Sequence, residues 1–167
     1  MQSLPMVDVF AGAGGLSLGL SRAGFNAVQA VELDADACAT YATLHPNTEV
    51  KQADIQRLKL RRLRGSIALL VGGPPCQPFS TGGKQLGARD DRDGFPEFLR
   101  VLDQLRPDAF LIENVAGLAA ASMRPYFERL IGELEALRYV VRWRIFNAAD
   151  YGVPQKRRRL FVVGLRG

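Results

Sequence analysis

The side chains best equipped for chemistry fall in four short motifs. In Gly72-Gly73-Pro74-Pro75-Cys76-Gln77-Pro78-Phe79-Ser80, prolines that fix φ stiffen the chain on both sides of a thiol. A cysteine held in such a polar loop is placed to act as a nucleophile. Cys38, in the helical Ala37-Cys38-Ala39, reads instead as a small core residue. In Glu113-Asn114-Val115, the apolar Phe110-Leu111-Ile112 delivers a carboxyl group. It accepts a hydrogen bond from an amino group and, when protonated, donates one to a ring nitrogen.

Gln155-Lys156-Arg157-Arg158-Arg159 leads into the apolar Leu160-Phe161-Val162-Val163. If the chain is already extended there, Gln155, Arg157 and Arg159 share one face, and a planar amide with two guanidinium groups suits phosphates and base edges. In Phe10-Ala11-Gly12-Ala13-Gly14-Gly15, glycines permit a tight turn and close approach to a ligand. Glu32 and Asp54 follow at strand ends, where acidic groups hold ribose hydroxyls or an adenine amino group. Ser17 stands where a dinucleotide fingerprint has its third glycine, and no P-loop lysine is present.

The elements between these motifs alternate. Strands are expected at Met6–Phe10, Asn26–Glu32, Thr48–Asp54, Ser66–Val71, Asp108–Ile112, Val140–Ala148 and Arg158–Leu165. Helices are expected at Leu16–Ala23, Ala35–Leu44, Pro96–Leu105 and Arg124–Leu137. The unbroken apolar runs at residues 66–71 and 108–112 suit parallel strands buried on both faces. The expected architecture is an open, doubly wound α/β sheet whose ligands sit beyond the carboxyl ends of its strands. The long polar stretch Thr81 to Gly94 is expected to be either a functional loop or a disordered one.

The 167 residues, 47% hydrophobic and 23% charged, suit one globular domain spanning 1–167. Two cysteines in different surroundings argue against a disulfide framework and leave too few soft ligands for a metal site, so no metal is expected. No apolar run spans a bilayer and no signal peptide opens the chain, so the expectation is a cytoplasmic protein, or a nucleoid-associated one in a prokaryote, with no membrane partner. A net charge of +5 permits a nucleic-acid partner without demanding one.

Taken in order, the four motifs resemble those of the DNA (cytosine-5)-methyltransferase family across nearly the whole chain. Phe10 to Gly15 resembles the family's first motif and Gly73 to Ser80 its proline-cysteine loop. Glu113 to Val115 is similar to its Glu-Asn-Val motif, and Gln155 to Arg159 to its Gln-x-Arg-x-Arg motif. The resemblance implies a Rossmann-like, mostly parallel sheet of the S-adenosylmethionine-dependent methyltransferase type. It implies S-adenosylmethionine as cofactor, S-adenosylhomocysteine as product and double-stranded DNA as substrate. Phe10, Ala11, Gly12, Gly14 and Gly15 would lie against the cofactor, Glu32 on its ribose, Asp54 and Ile55 at its adenine, and Pro75 nearby.

By the same resemblance, Cys76 adds to C6 of a flipped-out cytosine while Glu113 holds N3 and the exocyclic amine. Arg159 orients the base through its carbonyl oxygen, Arg157 shapes the pocket, and Asn114 braces the cysteine loop. The Thr81 to Gly94 segment would be a lid over DNA. Family members continue into a target-recognition region and two closing motifs, none of which is legible in these 167 residues. The expectation is therefore part of a split or truncated enzyme, with a second polypeptide carrying recognition as a partner. A noncatalytic cofactor- or nucleic-acid-binding module and a tRNA cytosine-5 methyltransferase remain the alternatives.

Overall fold

The computed structural model describes residues 3–76 and 93–167. Seven strands and four α-helices lie among the described residues. The strands are β1 (Leu4–Val9), β2 (Phe25–Glu32), β3 (Glu49–Gln52), β4 (Leu69–Gly72), β5 (Ala109–Val115), β6 (Tyr139–Asn147) and β7 (Arg158–Arg166). The helices are α1 (Gly15–Ser21), α2 (Ala35–Leu44), α3 (Phe95–Leu105) and α4 (Arg124–Ala136). One sheet runs in the order β3-β2-β1-β4-β5-β7-β6, parallel from β3 to β5, with β7 antiparallel to both its neighbours. The chain winds outward from β1 to β3, then returns to lay β4 on the other side of β1. That reversal opens a crevice at the carboxyl ends of β1 and β4, where the glycine turn and the proline-cysteine segment emerge side by side.

Burial follows from composition. All four residues of β4 are buried, as are Met6, Val7 and Val9 of β1, because central parallel strands are covered on both faces. α3 turns Phe95, Phe98, Val101, Leu102 and Leu105 inward at helical spacing, and Phe98 meets Phe110 edge-on at 6.2 Å between ring centroids. Phe110 in turn lies over Gly164, its register partner on β7, where any β-carbon would overlap the ring. β6 and β7 place outward apolar groups at Val140, Trp143, Val163 and Leu165.

Several element ends differ from expectation by one to three residues, and three of these differences have a clear physical cause or bear on the site. The third strand ends at Gln52 rather than Asp54, because the Asp54 side chain accepts from the Gln56 amide 3.0 Å away and starts a 3-10 turn at Ile55–Arg57. The fourth strand begins at Leu69 rather than Ser66, since the Ser66 amide and hydroxyl both close on the Leu63 carbonyl. β5 runs on to Val115, past the last pairing of β4 at Gly72 with Ile112, so Glu113, Asn114 and Val115 pair only with β7. Of the expected lid, only Asp93 and Gly94 are among the described residues.

Candidate active site

The glycine turn departs from ordinary backbone three times. Phe10, Gly12 and Gly14 have φ of 54°, 53° and 86°, the left-handed region that disfavours side chains. The turn is tied down from below. One oxygen of Glu32 accepts from the Gly12 amide at 2.8 Å, and the other accepts from the Leu33 and Asp34 amides at 2.7 and 3.0 Å. Glu32 thus joins the turn to the end of β2. Gly14 faces the opposite way, where a β-carbon would come within 2.8 Å of Tyr41 and His45. His45 Nε2 stands 3.0 Å from the Gly14 carbonyl, and its ring packs on Tyr41 at 4.5 Å.

Beneath the turn lies a buried group that belongs to none of the four motifs. Asp8 is 1% exposed, accepts from the Ser17 hydroxyl at 2.6 Å, and is linked through Ser17 to the Tyr41 hydroxyl at 2.8 Å. Burial, with a smaller push from Glu32, raises its carboxyl to about 7 against the opposing pull of these hydrogen bonds. A lone charge inside the apolar run Met6-Val7-Asp8-Val9 is the sequence signal for it.

The proline-cysteine segment leaves β4 beside Glu113, with Gly73 against the carboxylate. Asn114, buried, donates from Nδ2 to the Pro74 carbonyl at 2.8 Å, and its Oδ1 accepts from the Val115 amide. Pro75 accepts from the Gly94 amide at 2.9 Å, where Gly94 lacks room for a side chain against Pro74, Pro75 and Phe10. Cys76 is half-buried, and burial together with the Asp93 carboxylate pushes its thiol up to about 11. Asp93 is held by the Tyr126 hydroxyl at 2.6 Å.

Glu113 Oε1 is 3.0 Å from Arg159 Nε and 3.8 Å from the Arg157 guanidinium. Arg159 is the register partner of Val115, so its approach to Glu113 is the diagonal reach available across an antiparallel pair. The expected shared face of Gln155, Arg157 and Arg159 is only partly realised. β7 begins at Arg158, the Gln155 amide closes a turn on the Val153 carbonyl, and Gln155 is exposed and lines neither cavity.

Two adjoining cavities share Phe10 and Gly73. The larger, about 830 Å³, is walled by Asp8, Ala11, Gly12 and Gly15 on one side and by Glu113, Arg157, Arg159 and the rings of Phe146, Tyr151 and Phe161 on the other. The smaller, about 490 Å³, is lined by Glu32, Asp54, Ile55, Pro75 and Gly94. Carboxylates beside the apolar Val31, Ile55 and Pro75 fit a nucleoside, whose hydroxyls and amino group need acceptors and whose base needs a flat apolar wall. Gly14 and Cys76 line neither cavity. Among the described residues no cluster of three or more acidic, histidine or cysteine ligands forms, and no helix is long and apolar enough to cross a membrane.

Comparison with known proteins agrees with the motifs. The family model for C-5 cytosine-specific DNA methylase matches residues 4–167. The type II methyltransferase M.PspPI of Psychrobacter is 44% identical over 167 residues, with 99% of this chain and 40% of that protein covered. M.AquIA of Picosynechococcus is 37% identical over 96% of this chain and 71% of its own length. Among solved structures, a protein described as a DNA modification methyltransferase encoded in an E. coli prophage superposes with a TM-score of 0.82 at 33% identity. It matches 98% of this chain and 47% of its own. DNMT2 of Spodoptera frugiperda superposes at 0.78 with 28% identity, over 98% of this chain and 50% of its own. The chain spans about half the length of most of these relatives.

Proposed function

This chain belongs to the C-5 cytosine-specific DNA methylase family, and on that ground we propose that it carries the chemical half of a DNA cytosine-5 methyltransferase. Target recognition would lie in further sequence or in a second polypeptide. The observation that carries the reading is the convergence of three motifs far apart in sequence. Asn114 holds the Pro74 carbonyl two residues before Cys76, while the neighbouring Glu113 is gripped by Arg159 and Arg157 at the wall of one cavity.

C5 of cytosine is a weak nucleophile until something adds at C6. Cys76 makes that addition: its proton passes to water as its sulfur bonds to C6, and the electrons of the C5–C6 double bond move through the ring toward N3. Glu113 accepts from the exocyclic amine and, protonated, donates to N3, where the developing charge needs a partner. The guanidinium groups of Arg157 and Arg159 hold Glu113 in place and present donors to the base carbonyl oxygen. When bound, S-adenosylmethionine would supply an electrophilic methyl group for C5 and leave as S-adenosylhomocysteine; Phe10, Ala11, Gly12, Gly14 and Gly15 would shape its site and Glu32, Asp54, Ile55 and Pro75 would hold its nucleoside part. Water acting as base then takes the C5 proton, the electrons of that bond re-form the C5–C6 double bond, and the sulfur leaves C6 as a thiolate that regains a proton from solvent. A base in a duplex cannot reach the thiol, so the target must flip out of the stack.

Covalent trapping tests this. Purified chain with S-adenosylmethionine and duplex DNA containing 5-fluorocytosine should form a stable adduct, because fluorine at C5 blocks the final elimination. Cys76→Ala should form none. An adduct that persists without Cys76 would overturn the assignment of the nucleophile. Labelled methyl transfer to DNA rather than to tRNA would exclude the RNA-directed alternative.

A further inference from the structure

One charged surface has no part in this chemistry. Between β3 and β4, residues 55–66 read Ile-Gln-Arg-Leu-Lys-Leu-Arg-Arg-Leu-Arg-Gly-Ser, with Arg57, Lys59, Arg61, Arg62 and Arg64 and no acidic residue. These are five of the chain's 22 lysines and arginines; the 17 that remain equal its 17 aspartates and glutamates. The segment therefore carries the equivalent of the whole net charge of +5.

A basic run of this kind is usually a loosely solvated loop, but this one is anchored. Leu58, Leu60 and Leu63 turn into the core, while the five basic residues are exposed. From α3, Arg100 donates to the Leu58 carbonyl at 3.0 Å and the Ile55 carbonyl at 2.6 Å, and Gln104 accepts from the Leu60 amide at 3.0 Å. Two 3-10 turns, Ile55–Arg57 and Arg61–Leu63, stiffen it further. Arg62 is engaged with Glu49 at 3.4 Å, and Arg57 lies 3.9 Å from Asp54 with 88% of its side chain exposed. Among the described residues no carboxylate stands within ion-pair distance of Lys59, Arg61 or Arg64. The stripe begins beside Ile55 and Gln56 on the rim of the smaller cavity and runs to the start of β4.

We propose that this anchored stripe is a second DNA-binding surface, which holds the phosphate backbone of duplex flanking the target while the base is engaged at the cavity. The inference rests on the DNA-methylating reading of the site. Its binding is sequence-independent, since a fixed row of cations opposite phosphates reads charge rather than base edges. Side chains already fixed to α3 through their backbone lose less freedom on binding than a mobile tail would.

The test is the salt dependence of binding to a labelled DNA duplex, by fluorescence anisotropy, for the chain with S-adenosylhomocysteine. The variant R57Q/K59Q/R61Q/R64Q should lower the magnitude of the slope of log affinity against log salt by up to about 3.6, at roughly 0.9 for each phosphate no longer neutralised. A control of equal charge, R22Q/R124Q/R129Q/R144Q, should leave most of that slope in place. Equal loss in both variants would reduce the effect to net charge and overturn the proposal, as would an unchanged slope or a loss confined to RNA duplex. Adduct formation on 5-fluorocytosine DNA, read in parallel, separates the two ideas. A chain that traps DNA with an unaltered slope lacks the stripe's function, whereas an altered slope without trapping removes the chemistry and leaves the surface.

Discussion

At the level of single residues, burial sets the protonation of Cys76 and Asp8. Burial raises the Cys76 thiol, and the nearby Asp93 carboxylate adds to the effect, so the thiol is protonated at neutral pH in this state. In the proposed chemistry, addition to a base would therefore displace a proton as the sulfur–carbon bond forms. Asp8 has an equally readable consequence. Its carboxyl is raised from 3.8 to about 7, so the folded protein holds the proton more tightly than the unfolded chain. Its contribution to stability is complete below pH 4 or so, declines as pH rises, and is gone above about 7, a change on the order of 4 kcal/mol at most. Asp8→Asn mimics the neutral form and still accepts from Ser17. Denaturant titrations should show it more stable than the parent at pH 8 and nearly equal at pH 4; a constant difference across that range would mean that Asp8 does not titrate in the window.

Among the elements, the glycine turn depends on what packs behind it. Gly14 combines a φ of 86° with a near-contact to the α2 side chain of Tyr41 and to His45 just beyond that helix. Gly14→Ala would strain the backbone by about 1–2 kcal/mol and push the ring of His45 away. Since Glu32 fixes the turn at Gly12 and His45 at Gly14, a shift at one end moves the cavity wall formed by Ala11, Gly12 and Gly15. Calorimetric titration of Gly14→Ala with S-adenosylhomocysteine should give at least tenfold weaker binding while circular dichroism is unchanged. Undiminished affinity would show that the turn does not shape the cofactor site. The other side of the crevice works differently. There β5 outruns β4 by three residues, and the free length carries Glu113 and Asn114 to Arg159 and Pro74.

Across the molecule, the crevice lies between the two halves of the sheet, and its cavities draw residues from β1, β2, β5, β6 and β7 and from the segments that follow β1, β2, β3, β4 and β6. A ligand bound there bridges the two halves of the sheet, which pair with each other through β1 and β4. With S-adenosylhomocysteine at a hundredfold excess over its dissociation constant, linkage adds about 2.7 kcal/mol. For a chain of this size that raises the thermal midpoint by roughly 5–10 °C. A midpoint that stays put at saturating ligand, by differential scanning calorimetry, would remove the cavities as the cofactor site. The same experiment on Asp8→Asn separates the proton effect at the turn from ligand binding.

The succession of strands and helices, the family and the identity of the motif residues were all legible before any coordinates. Apolar runs, helical spacing and glycine or proline punctuation are local properties, and Ala35–Leu44 was readable to the residue. What those residues do to one another came only with the packed sheet. Periodicity could not show that Asn114 would reach Pro74, that Glu113 would lie between Arg157 and Arg159, or that Glu32 would also accept from the amides of the turn. The pairings of Gly12 with Glu32, Pro74 with Asn114 and Glu113 with Arg159 join positions far apart in the chain and depend on sheet order and register. Asp8 and Gly14 were visible as residues, yet their roles come from Ser17, Tyr41 and His45, which α1, α2 and the residue after α2 bring against the first strand and its turn only once the sheet has closed around them.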